Sequence, residues 1–141
     1  MIVRAAHDGD LAAIAAIQQA SPEAAQWNPA DYLRYDTAVA LCESRVAGFL
    51  ASRVVAPDEC EILNIAVAPE FRRRGVARTL LCGLIRTWRG TVFLEVRESN
   101  QAAQNLYKSL GFQAVAVRPG YYSAPAECGI VLKFHSCYRG G

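Results

Sequence analysis

No apolar run in the 141 residues approaches the roughly 18 that a membrane-crossing helix needs, so a helical membrane protein is not expected. The opening Met1-Ile2-Val3-Arg4 does not start a secretory leader, and a cytoplasmic location is the default expectation. None of the five cysteines forms a C-x-x-C pair, so a zinc site lacks its usual spacing. Five is also an odd number, which leaves one thiol over under any disulfide scheme. Cys42, Cys60 and Cys82 lie in apolar patterns and are read as core-filling thiols of a reduced compartment. Cys137 and His135 sit in the tail, where no third group orients a base for a cysteine nucleophile. Lysine is scarce: thirteen of the fifteen basic residues are arginine. Net charge is only +2, too little to announce a nucleic-acid binder. Repeats, linkers and low-complexity tracts are missing as well.

What remains is a chain with 52% hydrophobic and 20% charged residues, enough for one domain over residues 1–141 around a single core. Ile2–Ala6 reads as a strand. Asp8 then caps a helix carrying Leu11, Ile14 and Ile17, which ends near Ser21-Pro22. Glu23–Tyr35, with Trp27-Asn28-Pro29, reads as a short helical or irregular excursion. Val39–Glu43 and Val46–Val55 form a hairpin turning at Ser44-Arg45, and Ala56-Pro57-Asp58 leads into a strand at Glu61–Val67. A helix over Val76–Trp88 comes next, with Leu80, Leu81, Leu84 and Ile85 at helical spacing. Thr91–Arg97 is a strand, and a helix capped by Ser99 or Asn100 carries Ala103, Leu106, Tyr107 and Leu110 until Gly111 closes it. Phe112–Val117 and Gly129–Phe134 are the last strands, separated by an irregular loop with Tyr121, Tyr122 and Pro125. The expected fold is α+β: a mixed, mostly antiparallel sheet of about seven strands flanked by about four helices.

The segment Glu61 to Arg78 carries the chemistry. Ala68-Pro69 ends its strand, since proline cannot donate to the ladder. Arg72-Arg73-Arg74-Gly75 then leads directly into a helix. A helix start offers unpaired N–H groups and about half a positive charge, which suits an anion such as phosphate. Glycine admits close backbone approach, and arginine adds forked donors. An exposed basic helix start that touches nothing is the alternative.

Arg72-x-x-Gly75-x-Ala77 resembles the pyrophosphate loop of the GNAT superfamily of N-acetyltransferases, which bind acetyl-coenzyme A. Leu94-Glu95-Val96-Arg97 with Ser99-Asn100, and Leu106-Tyr107-x-x-Leu110-Gly111-Phe112, extend that resemblance from about Glu59 to Val117. Leu63-Asn64-Ile65-Ala66-Val67, the tandem Tyr121-Tyr122 and Trp27-Asn28-Pro29 are similar to the bacterial ribosomal-protein-alanine N-acetyltransferases. The resemblance implies transfer of an acetyl group to the N-terminal α-amine of a protein, namely the N-terminal alanine of a small-subunit ribosomal protein. It implies no metal, nucleic acid or membrane partner, and leaves the oligomeric state open.

Such a reaction needs a base, an acid and stabilisation of oxyanion charge. An α-amine near pKa ~8 costs about 1 kcal/mol to deprotonate at neutral pH, against about 5 for lysine, so one carboxylate suffices for an N-terminal acceptor. The resemblance assigns the proton acceptor to Glu95, which from its own pattern is a mid-strand glutamate that also fits a solvated face. It assigns the proton donor to Tyr107, otherwise an ordinary core aromatic. It assigns backbone amides of Ile65, Ala66 and Val67 to the pantetheine arm and thioester, and those of Arg73, Arg74, Gly75, Val76, Ala77 and Arg78 to the diphosphate. Asn100 matches a cofactor contact and equally fits an N-cap. Direct transfer in a ternary complex is implied, without an acyl-enzyme.

The sequence departs from the family at Glu127-Cys128-Gly129, where members carry Glu-Asp-Ala. Acidic partners for a basic peptide are sought among Glu61, Glu70 and Glu127. Tyr121 and Tyr122 wall a peptide slot or shield the core. Acetylation of a small-molecule amine or a lysine, a non-catalytic coenzyme A binder, and a nucleic-acid contact at Arg72–Arg74 are the competing readings.

Overall fold

The computed structural model describes residues 1–123 and 126–136. Seven strands are ordered β1-β2-β3-β4-β5-β7-β6, with β1 Ile2–Ala5, β2 Asp36–Cys42, β3 Arg45–Ala56, β4 Glu59–Val67, β5 Gly90–Arg97, β6 Gln113–Ser123 and β7 Ala126–Ser136. The helices are α1 Leu11–Gln19, α2 Val76–Thr87 and α3 Gln101–Ser109, with 3-10 turns at Asp8–Asp10, Pro29–Arg34 and Pro69–Phe71. The α+β class and the mixed, mostly antiparallel sheet match the expectation; the excursion at 23–35 supplies the fourth helical element as a 3-10 turn. The chain divides into two compact units, one of residues 1–53 and 62–87, the other of residues 54–61 and 88–141.

In the first unit β2 pairs antiparallel with β1 and β3. The hairpin turns at Glu43-Ser44 rather than Ser44-Arg45, with φ of 55° and 62°. Two successive left-handed residues make the twist-matched two-residue turn, which shifts the reversal by one position. The first helix also starts differently. His7, not Asp8, caps the 3-10 turn that leads into it, where Asp10 closes a capping box by accepting the His7 N–H at 2.9 Å; Asp10 itself stands at the N-cap of α1 without a side-chain cap bond. Asp10 wins because Arg4 grips both its oxygens, at 2.7 and 3.0 Å, and holds its carboxyl below the usual carboxylate range. Ile14, Phe49, Phe71, Val76, Leu80 and Leu81 are buried in this unit.

Strand β4 alternates cleanly: Cys60, Ile62, Asn64 and Ala66 are buried, while Glu61, Leu63, Ile65 and Val67 are half-buried. Gly48 on β3 permits the closest approach in this unit. A Cβ there would lie 2.8 Å from Val76 Cγ1 and 2.9 Å from the Ala66 carbonyl. A glycine inside a strand thus lets the end of β4 and the first residue of α2 settle against β3.

In the second unit β5 pairs parallel with β4 over Glu59–Glu61 and antiparallel with β7 along its whole length. The irregular loop expected between the last strands is instead β-structure: β6 and β7 pair across Tyr122↔Glu127, and a register shift between Arg118 and Tyr122 takes up the extra residues. Tyr121 and Tyr122 are therefore strand residues. Pro125 and Cys137 lie outside the described residues. Among the described residues Cys42, Cys60, Cys82 and Cys128 form no disulfide, and Cys60 alone of them is fully buried.

Gly90, at the start of β5, has φ 126°, and a Cβ there would lie 2.1 Å from the Asp58 carbonyl. That carbonyl accepts the Thr91 N–H at 2.8 Å, so the approach cannot relax without breaking the ladder. Gly90→Ala is expected to lower unfolding free energy by more than about 2 kcal/mol, read from urea denaturation midpoints.

Candidate active site

The basic turn belongs to the first unit. Phe71, closing the 3-10 turn after Pro69, is buried and anchors the arginine run behind it. The Arg45 and Arg74 guanidiniums lie 4.8 and 5.3 Å from its ring centroid. Arg74 also pairs with Glu43 at 3.7 Å, and Arg45 with Glu70 at 3.8 Å. Arg72 faces the protein: it donates to the carbonyls of Val67 at 3.3 Å and Ala20 at 3.1 Å, and to Ser21 Oγ at 3.4 Å. Its role is to fasten the turn to the end of α1.

Arg73 and Gly75 are both left-handed, with φ of 64° and 77°. A non-glycine residue held there costs about 1 kcal/mol and marks a turn fixed by its surroundings. A Cβ on Gly75 would meet no protein atom within 4 Å, so glycine serves the backbone conformation, not protein packing. The helix begins at once: the Gly75 carbonyl accepts both the Thr79 N–H at 3.0 Å and the Thr79 hydroxyl at 2.8 Å. Val76, Ala77 and Arg78 form the first turn of α2, the part of a helix whose N–H groups point towards its N-terminal end. This geometry suits an anion.

Sequence reasoning missed a buried polar chain behind β4. Asn64 accepts the Ala25 N–H at 3.1 Å and donates to the Ala25 carbonyl at 2.9 Å and to the Tyr32 hydroxyl at 2.7 Å. Tyr32 donates to Gln18 Oε1, and Gln18 donates to the Trp27 carbonyl at 2.8 Å. The network ties residues 25–32 to α1 and β4. Its one sequence signal was a lone polar residue among inward positions that are otherwise apolar, Cys60, Ile62 and Ala66. Tyr32→Phe leaves buried groups of Gln18 and Asn64 short of a partner, and is expected to cost about 1–3 kcal/mol in urea denaturation.

The titratable cluster belongs to the second unit. The Glu95 side chain is only 15% exposed, so the solvated-face alternative does not hold. Its Oε1 accepts from Arg118 Nη1, while Oε2 is buried and has no hydrogen-bond partner. Tyr107, on α3, is 5% exposed and packs on Phe112 with centroids 5.6 Å apart. Burial holds its phenol well above the usual tyrosine range, and Tyr122 raises it further. Tyr122 is pushed up to about 12, first by burial and then by the charge of Glu95. Tyr122 is therefore within electrostatic reach of both Glu95 and Tyr107.

Around these lies an alternation of cations and rings. Arg118 stacks over Tyr121 at 4.2 Å, Tyr121 meets Tyr122 edge-on at 5.0 Å, and Arg97 covers Tyr122 at 4.3 Å. Arg97 donates to Glu127 at 3.1 Å, and Glu127 also accepts the Ser99 N–H at 2.9 Å and hydroxyl at 3.1 Å. Those donors hold Glu127 below the ordinary carboxylate range, the Ser99 amide foremost. Glu127 is thus committed within the protein, while Glu61 faces Phe93 in the β4–β5 ladder. Asn100 is the cap of α3, accepting the Ala103 N–H at 3.2 Å. Among the described residues no group of three His, Cys, Asp or Glu is placed to hold a metal ion, and no helix is long and apolar enough to cross a membrane.

Residues 11–112 match the model of the acetyltransferase (GNAT) family, and the chain belongs to that family. The [ribosomal protein bS18]-alanine N-acetyltransferase of Salmonella typhimurium is 46% identical over 93 residues, which is 63% of this chain and 62% of that protein. The N-alpha-acetyltransferase RimI of Mycobacterium tuberculosis is 48% identical over 67 residues, 47% of this chain and 42% of that one. The matches thus span 62%, 50% and 55% of the lengths of three such curated relatives. Among solved structures, the ribosomal-protein-S18-alanine N-acetyltransferase from Escherichia coli superposes with a TM-score of 0.83 at 31% identity, covering 99% of this chain and 96% of that one. Ard1 from Thermoplasma volcanium gives 0.85 at 28% identity, covering 94% and 95%.

The raised phenols set an alkaline limit. A tyrosine whose pKa is higher folded than unfolded contributes stability that is whole below the unfolded value and is lost as pH rises through the folded one. Tyr32 and Tyr122 are each pushed up to about 12 from 10, so the urea midpoint is expected to fall as pH climbs through that window. Tyr107→Phe should flatten the slope, because it removes a phenol that burial holds well above the usual tyrosine range.

Proposed function

We propose that this protein transfers the acetyl group of acetyl-coenzyme A to the N-terminal α-amine of a protein, the N-terminal alanine of a small-subunit ribosomal protein, acting in the cytoplasm as one N-acetyltransferase domain over residues 1–141. The observation that carries this reading is the Glu95 carboxylate: largely buried, with one oxygen unpartnered, and with the raised Tyr122 phenol in electrostatic reach, itself in reach of Tyr107. A buried acceptor without a donor costs stability, and such groups are retained where a ligand supplies the proton. The named relatives and the E. coli structure point to the same acceptor.

In this reading Oε2 of Glu95 takes the proton of the incoming amine. Tyr107, kept protonated by burial, gives its proton to the departing thiolate. The first-turn amides of α2, together with those of Arg73, Arg74 and Gly75, hold the diphosphate, and backbone of Ile65, Ala66 and Val67 serves the pantetheine arm and the thioester oxygen. Asn100 acts through the cap of α3. An N-terminal α-amine is the easier acceptor for a single base, because freeing it costs about 1 kcal/mol at neutral pH against about 5 for lysine.

Acetyl-coenzyme A is expected to raise the thermal midpoint in a concentration-dependent way. A peptide with a free alanine N-terminus should be acetylated, and the same peptide blocked at that amine should not; equal turnover of both would point instead to lysine. Glu95→Gln and Tyr107→Phe should each lower kcat by roughly 10²-fold while leaving the affinity for acetyl-coenzyme A unchanged, and unaltered rates would remove both from the mechanism.

A further inference from the structure

Three adjacent strands place Arg97 on β5, Gly129 on β7 and Arg118 on β6 in one row, because Gly129 pairs with Arg97 on one side and Arg118 on the other. Glu95 lies two residues before Arg97 and so shares its face. The reach from Arg118 to Glu95 runs diagonally over Gly129. A side chain at that position would block it: a Cβ on residue 129 would lie 2.9 Å from Glu95 Oε2 and 3.1 Å from the Tyr121 ring. The missing side chain at one strand position makes the ion pair possible.

Resting on the acetyltransferase reading, we propose that Arg118 is a positioning residue, holding Glu95 Oε1 across Gly129 so that Oε2 is presented to the acceptor amine. Arg118 uses one nitrogen, Nη1, on one oxygen, Oε1. A forked grip would have engaged both oxygens and left Oε2 with less acceptor capacity for a substrate. The guanidinium is itself fixed by stacking on Tyr121, although the side chain is 54% exposed. The second oxygen stays buried and unpartnered. An arriving ammonium, which carries three donors and no acceptor, is the complement of that oxygen. Arg118 does not touch the reacting atoms. It sets the rotamer of the group that does.

The test uses the whole chain with acetyl-coenzyme A and the alanine peptide. Arg118→Ala should lower kcat on the order of 10-fold, with the acetyl-coenzyme A KM unchanged, as expected when a base is misaimed and not removed. Millimolar guanidinium chloride should restore part of that rate in Arg118→Ala and none in Glu95→Gln, and Arg118→Lys should fall between. Gly129→Ala should lower kcat as well, by pressing on Oε2, without altering the thermal shift given by acetyl-coenzyme A. Wild-type kcat in Arg118→Ala overturns the proposal. So does a loss that neither guanidinium nor lysine recovers, since that marks a merely structural residue. Wild-type protein that is neither stabilised by acetyl-coenzyme A nor active on the peptide overturns the underlying acetyltransferase reading instead.

Discussion

The left-handed backbone at Arg73 and Gly75 is the constraint on which the proposed anion site of the first unit depends. Left to itself, a turn with a non-glycine residue at φ 64° relaxes, because the Cβ crowds the following carbonyl. Three contacts oppose that relaxation. Phe71 is buried at the turn's entrance, Arg72 ties it to the end of α1, and Gly48 lets Val76 seat α2 against β3. The hairpin turn adds a weaker hold through Glu43 and Arg74, an exposed pair of the kind that contributes little. These contacts fix the direction of backbone N–H groups. The surface proposed to bind a diphosphate is therefore mostly main chain, and the side chains around it serve to keep that main chain in place.

The second unit works on the opposite principle. Its chemistry lies in side chains, and each is held by the next: Ser99 and Arg97 by Glu127, Tyr122 by Arg97, Tyr121 by Tyr122, Arg118 by Tyr121, Glu95 by Arg118. Alternating guanidinium and ring is favourable because each ring face is negative and each cation is only partly desolvated. The run ends at a carboxylate with one oxygen spent and one not. Among the described residues Glu95 Oε2 is the only buried side-chain oxygen or nitrogen without a partner, which is why the catalytic reading settles there.

This difference between main-chain and side-chain sites explains what could be read from sequence. The strand, basic turn and helix at 59–87 were legible because proline, glycine and helical periodicity are local signals, and the structure moves their ends by only one or two residues. The Asn100 cap and the Gly111 stop were legible for the same reason. The long β6–β7 hairpin was not. Pro119-Gly120 reads as loop, and only pairing with β7 across a register shift overrides that local preference. The Asp10 capping box escaped notice because it depends on Arg4, a residue of another element. Glu95 and Tyr107 could be named from resemblance alone. That Glu95 is buried and held on one oxygen depends on a glycine of a different strand, which no local pattern announces.

Acceptor recognition is bound by the same row of contacts. A basic peptide would be expected to meet a free carboxylate, and Glu127 was the nearest candidate in the family's acceptor loop. Its oxygens already serve one guanidinium, one amide and one hydroxyl, and those donors depress its pKa. A substrate cation at Glu127 would compete with Arg97 for the same oxygens, and loss of Arg97 would uncover Tyr122 and loosen the row that ends at Glu95. Charge at this end of the second unit is thus committed to contacts within the protein. On the proposed reading, recognition of the acceptor falls to the amine itself, met by the one oxygen left open, and to the tyrosine surface beside it, where Tyr121 is 46% exposed.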